Sequence, residues 1–153
     1  MICGVRVMNE NLAYIIEWAI WSNLDRITEL ELVLLKGHQH IEIIIDTVLS
    51  ENGIKNCEDL SFYKKTKELK IIGSKSNGNS KIITDKLFEL NKIRNKLAHE
   101  LEFEIKNGEL EDWAQSVLSI FKGQKFTKHT YRTKIVHAFS SIAKAITEIR
   151  ICL

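Results

Sequence analysis

The chain has 153 residues, 44% of them hydrophobic and 27% charged, with a formal net charge of +2. That length and balance imply one folded domain over residues 1–153, with folding burying roughly 68–70% of the surface exposed by the unfolded chain. They exclude a disordered polyelectrolyte and a nucleic-acid binder acting through bulk charge, so any nucleic-acid surface must be local.

Proline is absent, which favours long uninterrupted helices because proline removes a backbone donor and clashes with the preceding turn. Asn9 or Asn11 is placed to cap a first helix reaching about Leu24, with Leu12, Ile15, Ile16, Ala19 and Ile20 on one face. Thr28-Glu29-Leu30-Glu31 has capping-box spacing, and apolar periodicity continues to Leu49 before Asn52-Gly53 supplies a stop. Ser61 caps a third helix through Ile72, and residues 73–79 form a loop of small and polar residues. Ser80 caps a fourth helix to about His99. Leu101 to Ile105 then alternates and meets the Asn107-Gly108 turn signal, which predicts a short extended connection. Two more helices follow, about Glu109 to Lys122 and about Lys128 to Ile151. The expected fold is an all-α bundle of about five to six helices with a short extended segment after the fourth.

No run approaches the roughly 18 uncharged apolar residues of a membrane span, and Met1 to Asn9 lacks the apolar segment of a signal peptide. Cys3, Cys57 and Cys152 are scattered without zinc or dithiol spacing. The expectation is a cytoplasmic protein with free thiols, no metal, no cofactor and no membrane partner.

Residue types suited to chemistry cluster tightly only at Asn91-Lys92-Ile93-Arg94-Asn95-Lys96-Leu97-Ala98-His99-Glu100. On an ideal helix Arg94 falls within the stripe Ile83, Leu87, Leu90, Leu97, Leu101, where a guanidinium needs a partner. Asn91, Asn95 and His99 are spaced i, i+4, i+8 and form one ridge beside it, so that Asn95 can orient His99. On the second helix His38 and Glu42 interrupt another stripe of Leu35, Ile45 and Leu49, and Glu42 is the expected partner of Arg94 in a charge-assisted fork. An Arg–Glu pair joining two core helices is an equally physical explanation and needs no function. The spacing itself is cheap: with five Arg and five His, a match recurs by chance in about half of such chains. Arg132 to His137 is a second match, read as a solvated face. Trp18, Trp21 and Trp113 are read as core or dimer interface. Lys64, Lys65, Lys67 and Lys70 beside Lys75 and Lys81 form the densest basic patch, a solvated face in the first instance.

Arg94 to His99 resembles the R-N-x-x-x-H form of the HEPN superfamily motif. His40 to Asp46 and Leu60 to Lys67 also resemble helices of HEPN proteins close to the mannitol operon repressor family. The similarity spans about Thr28 to Ile105. It implies an all-α bundle pairing as a two-fold homodimer, with Arg and His from both subunits lining one cleft, and metal-independent RNA cleavage in toxin or antiviral defence settings. Carried over, Arg94 and His99 are the catalytic pair and Asn95 the orienting residue. Glu42 is carried over as a supporting residue; Asn91 and His38, the latter without a family counterpart, are supporting residues by position alone, and Lys64, Lys65, Lys67 and Lys96 are candidate RNA contacts by their charge. Some relatives paired with a nucleotidyltransferase antitoxin carry a Tyr two residues after the His; here it is Leu101, so neither tyrosine modification nor an antitoxin or inhibitor partner follows from the motif. The alternative implied function is a non-catalytic HEPN module acting as a regulator or a binding and dimerisation domain.

Overall fold

The structure is a computed structural model and describes residues 2–75, 79–99 and 108–149. Among these residues there are six α-helices and no strand: α1 Ile2–Asp25, α2 Leu30–Glu51, α3 Phe62–Ser74, α4 Ser80–His99, α5 Glu109–Ile120 and α6 Tyr131–Thr147, with a 3₁₀ turn at Cys57–Asp59 between α2 and α3. The all-α bundle expected from the periodicity is therefore present. The alternating run Leu101 to Ile105 lies outside the described residues, and the last helix spans Tyr131–Thr147, shorter at both ends than the expected Lys128 to Ile151. No helix among the described residues is long and apolar enough to cross a membrane.

α6 is the central helix, buried on nearly every side from Ile135 to Ala143, and packs against α1, α2, α4 and α5. Its buried stretch combines apolar and small side chains with Ser140 and His137, which hydrogen-bond to backbone groups as buried polar residues must. Gly37 lets α2 pack closely on α6, because a Cβ there would sit 2.6 Å from Cε1 of Phe139. Trp113 is buried in α5 and its Nε1 donates to the Lys86 carbonyl at 2.9 Å, pinning α5 to α4. Trp21 is half-buried and stacks on Phe126, whereas Trp18 is exposed beside Tyr14 and Ile15 on α1.

Helix boundaries follow local capping, with corrections. α1 begins at Ile2, upstream of both proposed caps. The box expected at Thr28 does not form: Glu29 occupies the N-cap of α2 and makes no side-chain cap bond. A capping box forms instead at α6, where Thr130 and Thr133 exchange hydrogen bonds. Ser61 caps α3 as expected, accepting from the Lys64 N–H. Ser80 lies inside α4 rather than before it, packed on Gly73. Gly53 and Gly108 take positive φ angles of 84° and 88° at the α2 stop and the α5 start, where glycine has no steric penalty.

The Arg132–His137 pair is not a solvated face. Arg132 donates to the carbonyls of Asp25 and Ile27 at 3.1 and 2.9 Å and pairs with the Asp25 carboxylate, so it closes the C-terminal end of α1. His137 is 1% exposed. Its Nδ1 donates to the Thr133 carbonyl at 2.6 Å, and its Nε2 accepts the Phe126 and Thr127 N–H groups at 3.1 and 3.4 Å, tying the segment before α6 to that helix.

Candidate functional site

Three elements meet at a cleft of about 590 Å³: α2 contributes Leu35, His38, Gln39 and Glu42, the start of α3 contributes Ser61, Phe62 and Tyr63, and α4 contributes Asn91, Arg94 and Asn95. The i, i+3 and i, i+4 spacings along α2 and α4 bring these side chains to one helix face each. The cap at Ser61 turns the chain so that Phe62 and Tyr63 close the third wall.

His38 is 7% exposed and its ring lies 4.1 Å from that of Phe62. Its Nε2 is 3.1 Å from the Asn91 Oδ1, a bond joining α2 to α4. Burial pushes the His38 pKa below the ordinary histidine value and the nearby Arg94 charge adds to that, while the Asn91 hydrogen bond and Glu42 pull the other way. At neutral pH the imidazole is uncharged.

Glu42 does not form the fork with Arg94 expected from spacing. Its Oε1 accepts from Lys65 Nζ at 2.9 Å, and the same ammonium lies 2.8 Å from the Asp46 carboxylate. Lys65 is 2% exposed. Burial lowers its pKa, but the bonds to Asp46 and Glu42 outweigh that and raise it overall, so it stays charged. Lys65 is therefore removed from the candidate RNA contacts: the residue read as surface is an internal cation, reached because it is one turn from the cap and faces the i, i+4 pair Glu42 and Asp46. Arg94 is half-buried at the edge of the apolar face formed by Ile83, Leu87, Leu90 and Ile93, and among the described residues no carboxylate lies within salt-bridge distance of it.

The remaining motif residues divide. Asn95 is exposed and lines the cleft with Arg94. His99, one turn further along α4, is exposed and does not line the cleft, and among the described residues no hydrogen bond joins it to Asn95. Lys64 and Lys67 are exposed, Lys67 with its ammonium 5.2 Å from the centre of the Tyr63 ring. Lys96 is committed to Glu109 at 2.9 and 3.1 Å. Gln39, Ser61, Phe62 and Tyr63 also line the cleft, beyond the residues expected from the sequence. The usable signal was the cap at Ser61, since a capped helix start fixes where the next two side chains point.

The arrangement suits an anion: an uncommitted guanidinium, two neighbouring amides, a neutral imidazole and the N-terminal end of α3, whose aligned peptides favour negative charge. Among the described residues no group of three or more His, Cys, Asp or Glu side chains is placed to hold a metal ion. Comparison with protein-family models, with characterised proteins and with solved structures gives no match.

Proposed function

We propose that the protein is a metal-independent endoribonuclease of the HEPN type, with Arg94 gripping the scissile phosphate. The observation that carries this is the half-buried Arg94 in a cleft where the neighbouring Glu42 is held by Lys65, leaving the guanidinium for a ligand. RNA carries its own nucleophile, the 2′-hydroxyl, so the protein need only move protons and stabilise charge on the phosphoryl oxygens. A planar guanidinium meets two of those oxygens at once. Asn91 and Asn95 orient the substrate and His99 protonates the departing 5′-oxygen, leaving a 2′,3′-cyclic phosphate and a 5′-hydroxyl. Because His99 does not line its own chain's cleft, it is supplied to a composite cleft by the second copy of a homodimer. Exposed Leu32, Leu35 and Ile43 on α2 give that pairing apolar surface. A toxin or antiviral defence role fits such an activity.

The same position of His99 favours a second reading, a non-catalytic module that binds an anionic ligand or RNA in the cleft and acts as a regulator of the mannitol operon repressor type. One experiment separates them. Purified protein is incubated with RNA in excess chelator, beside Arg94→Ala and His99→Ala variants of matched circular dichroism. Cyclic-phosphate products from the parent, lost in both variants, support the ribonuclease. RNA that is bound in an Arg94-dependent way but left intact overturns it in favour of the binding module. If His99→Ala cuts as well as the parent, the role given to His99 is wrong.

A further inference from the structure

We infer that His38 is the general base of this cleft, accepting the 2′-hydroxyl proton on its Nδ1 atom; the inference rests on the ribonuclease function proposed above. Two buried histidines of the same chain make the contrast. His137 uses both ring nitrogens on backbone groups, Nδ1 to the Thr133 carbonyl and Nε2 from two loop amides, as a histidine that ties structure together does. His38 uses one. Its Nε2 meets the Asn91 Oδ1, which can only accept, so the proton is held on Nε2 and the lone pair is left on Nδ1. Among the described residues no protein group bonds that nitrogen. Phe62 against the ring fixes its plane, and Arg94 stands in the same cleft to hold the phosphate.

The groups facing the imidazole are Glu42 on its own helix, Asn91 and Arg94 from α4 and the Phe62 ring from α3. Burial first, and the Arg94 charge with it, lower the His38 pKa against the pull of Asn91 and Glu42, which leaves the imidazole uncharged and ready to take a proton. In the step, the 2′-hydroxyl proton passes to Nδ1 as the O2′–P bond forms. The P–O5′ bond breaks, and the 5′-oxygen leaves with its electron pair and takes a proton from His99. His38 then gives its proton to water and His99 takes one from water, so both histidines return to their starting states.

The test is the pH dependence of initial cleavage rates on an oligoribonucleotide in excess chelator, for the parent, His38→Gln and Asn91→Asp. Glutamine keeps a donor for Asn91 but cannot take the proton, so a loss of about 10²–10⁴-fold is expected, the range for general-base removal. Aspartate at position 91 stabilises the imidazolium and is expected to move the acid limb of the profile upward by about one pH unit. A purely packing role for His38 would leave that limb in place, and this readout decides the matter even if His38→Gln fails to fold. A parent that cleaves, with His38→Gln equally active or the Asn91→Asp limb unmoved, overturns the assignment of His38 and leaves the ribonuclease standing. A parent that cleaves no RNA overturns both.

Discussion

Replacing Lys65 with methionine tests the charge arrangement beneath the cleft. Methionine fills most of the volume of the buried stem but removes the ammonium shared by Glu42 and Asp46. Breaking a fully buried pair costs roughly 3–5 kcal/mol. Here the two carboxylates are 34% and 28% exposed, so water recovers part of that and about 2 kcal/mol is the expected loss. For a chain of this size the melting temperature falls by about 4–8 °C. The second effect is functional. Glu42, released from Lys65, lines the same cleft as Arg94 and becomes an internal partner for it. A competing pair worth about 1.4 kcal/mol weakens RNA binding tenfold. Thermal denaturation followed by circular dichroism reads the first effect, and fluorescence anisotropy with a cleavage-resistant 2′-deoxy oligonucleotide reads the second. Adding Glu42→Gln to Lys65→Met removes the competitor and restores binding. If Lys65→Met binds as tightly as the parent at temperatures where both are folded, or if the double variant does not recover, Lys65 does not keep Arg94 available.

His137 sets an acid limit on stability. Burial, ahead of other influences, lowers its pKa in the fold, so below the unfolded value of about 6.5 the unfolded chain binds the extra proton and stability falls as pH drops. Denaturant midpoints should fall more steeply from pH 6.5 downward in the parent than in His137→Gln, by up to about 1.4 kcal/mol per pH unit. Glu17, whose pKa is raised mainly by burial, titrates with the opposite sign but is common to both proteins. Parallel profiles would refute the assignment. Gly37→Ala drives a methyl to 2.6 Å from the fully buried Phe139 ring. Overpacking of about 1–3 kcal/mol exceeds the helix-propensity gain of about 1 kcal/mol, so a lower melting temperature is expected, recovered in part by adding Phe139→Leu. A Gly37→Ala protein as stable as the parent would show that α2 and α6 can separate without cost.

The helices were legible because 3.6-residue periodicity is a local signal, and the α2 stop at Gly53 and the turn into α5 at Gly108 were legible because a positive φ favours glycine. Caps were less so. Thr28 and Thr130 both carry suitable chemistry, and only the backbone angle at the helix start decides which side chain reaches back. Faces were misjudged where a polar residue is buried by something remote in sequence. Lys65 looked like the middle of a basic patch, since no local pattern reveals that its turn lies over Glu42 and Asp46. His137 looked solvated because the amides that bond it belong to Phe126 and Thr127, in a segment with no helical signal. Three members of the candidate site, His38, Glu42 and Arg94, are polar residues that break apolar stripes, and Asn91 and Asn95 belong to the ridge beside Arg94; both signals depend on position rather than on motif spacing.

Arg94 lines the cleft, yet its expected partner Glu42 is held by Lys65 instead. Around the base of the cleft stand two carboxylates, Glu42 and Asp46, and two cations, Lys65 and Arg94, so charge counting alone predicts that all four are satisfied. Geometry divides them unequally. Glu42 and Asp46 lie one turn apart on α2, and the Lys65 ammonium is a compact point charge with three donors that can serve both at 2.9 and 2.8 Å. A guanidinium in that place would meet one carboxylate in a fork and leave the other facing it at i+4, an unfavourable like-charge pair. The lysine is thus the better cation for the buried pair and the arginine the better one for a planar oxyanion. Their placement leaves Arg94, the cation suited to phosphate, facing the cleft beside an imidazole that burial keeps neutral.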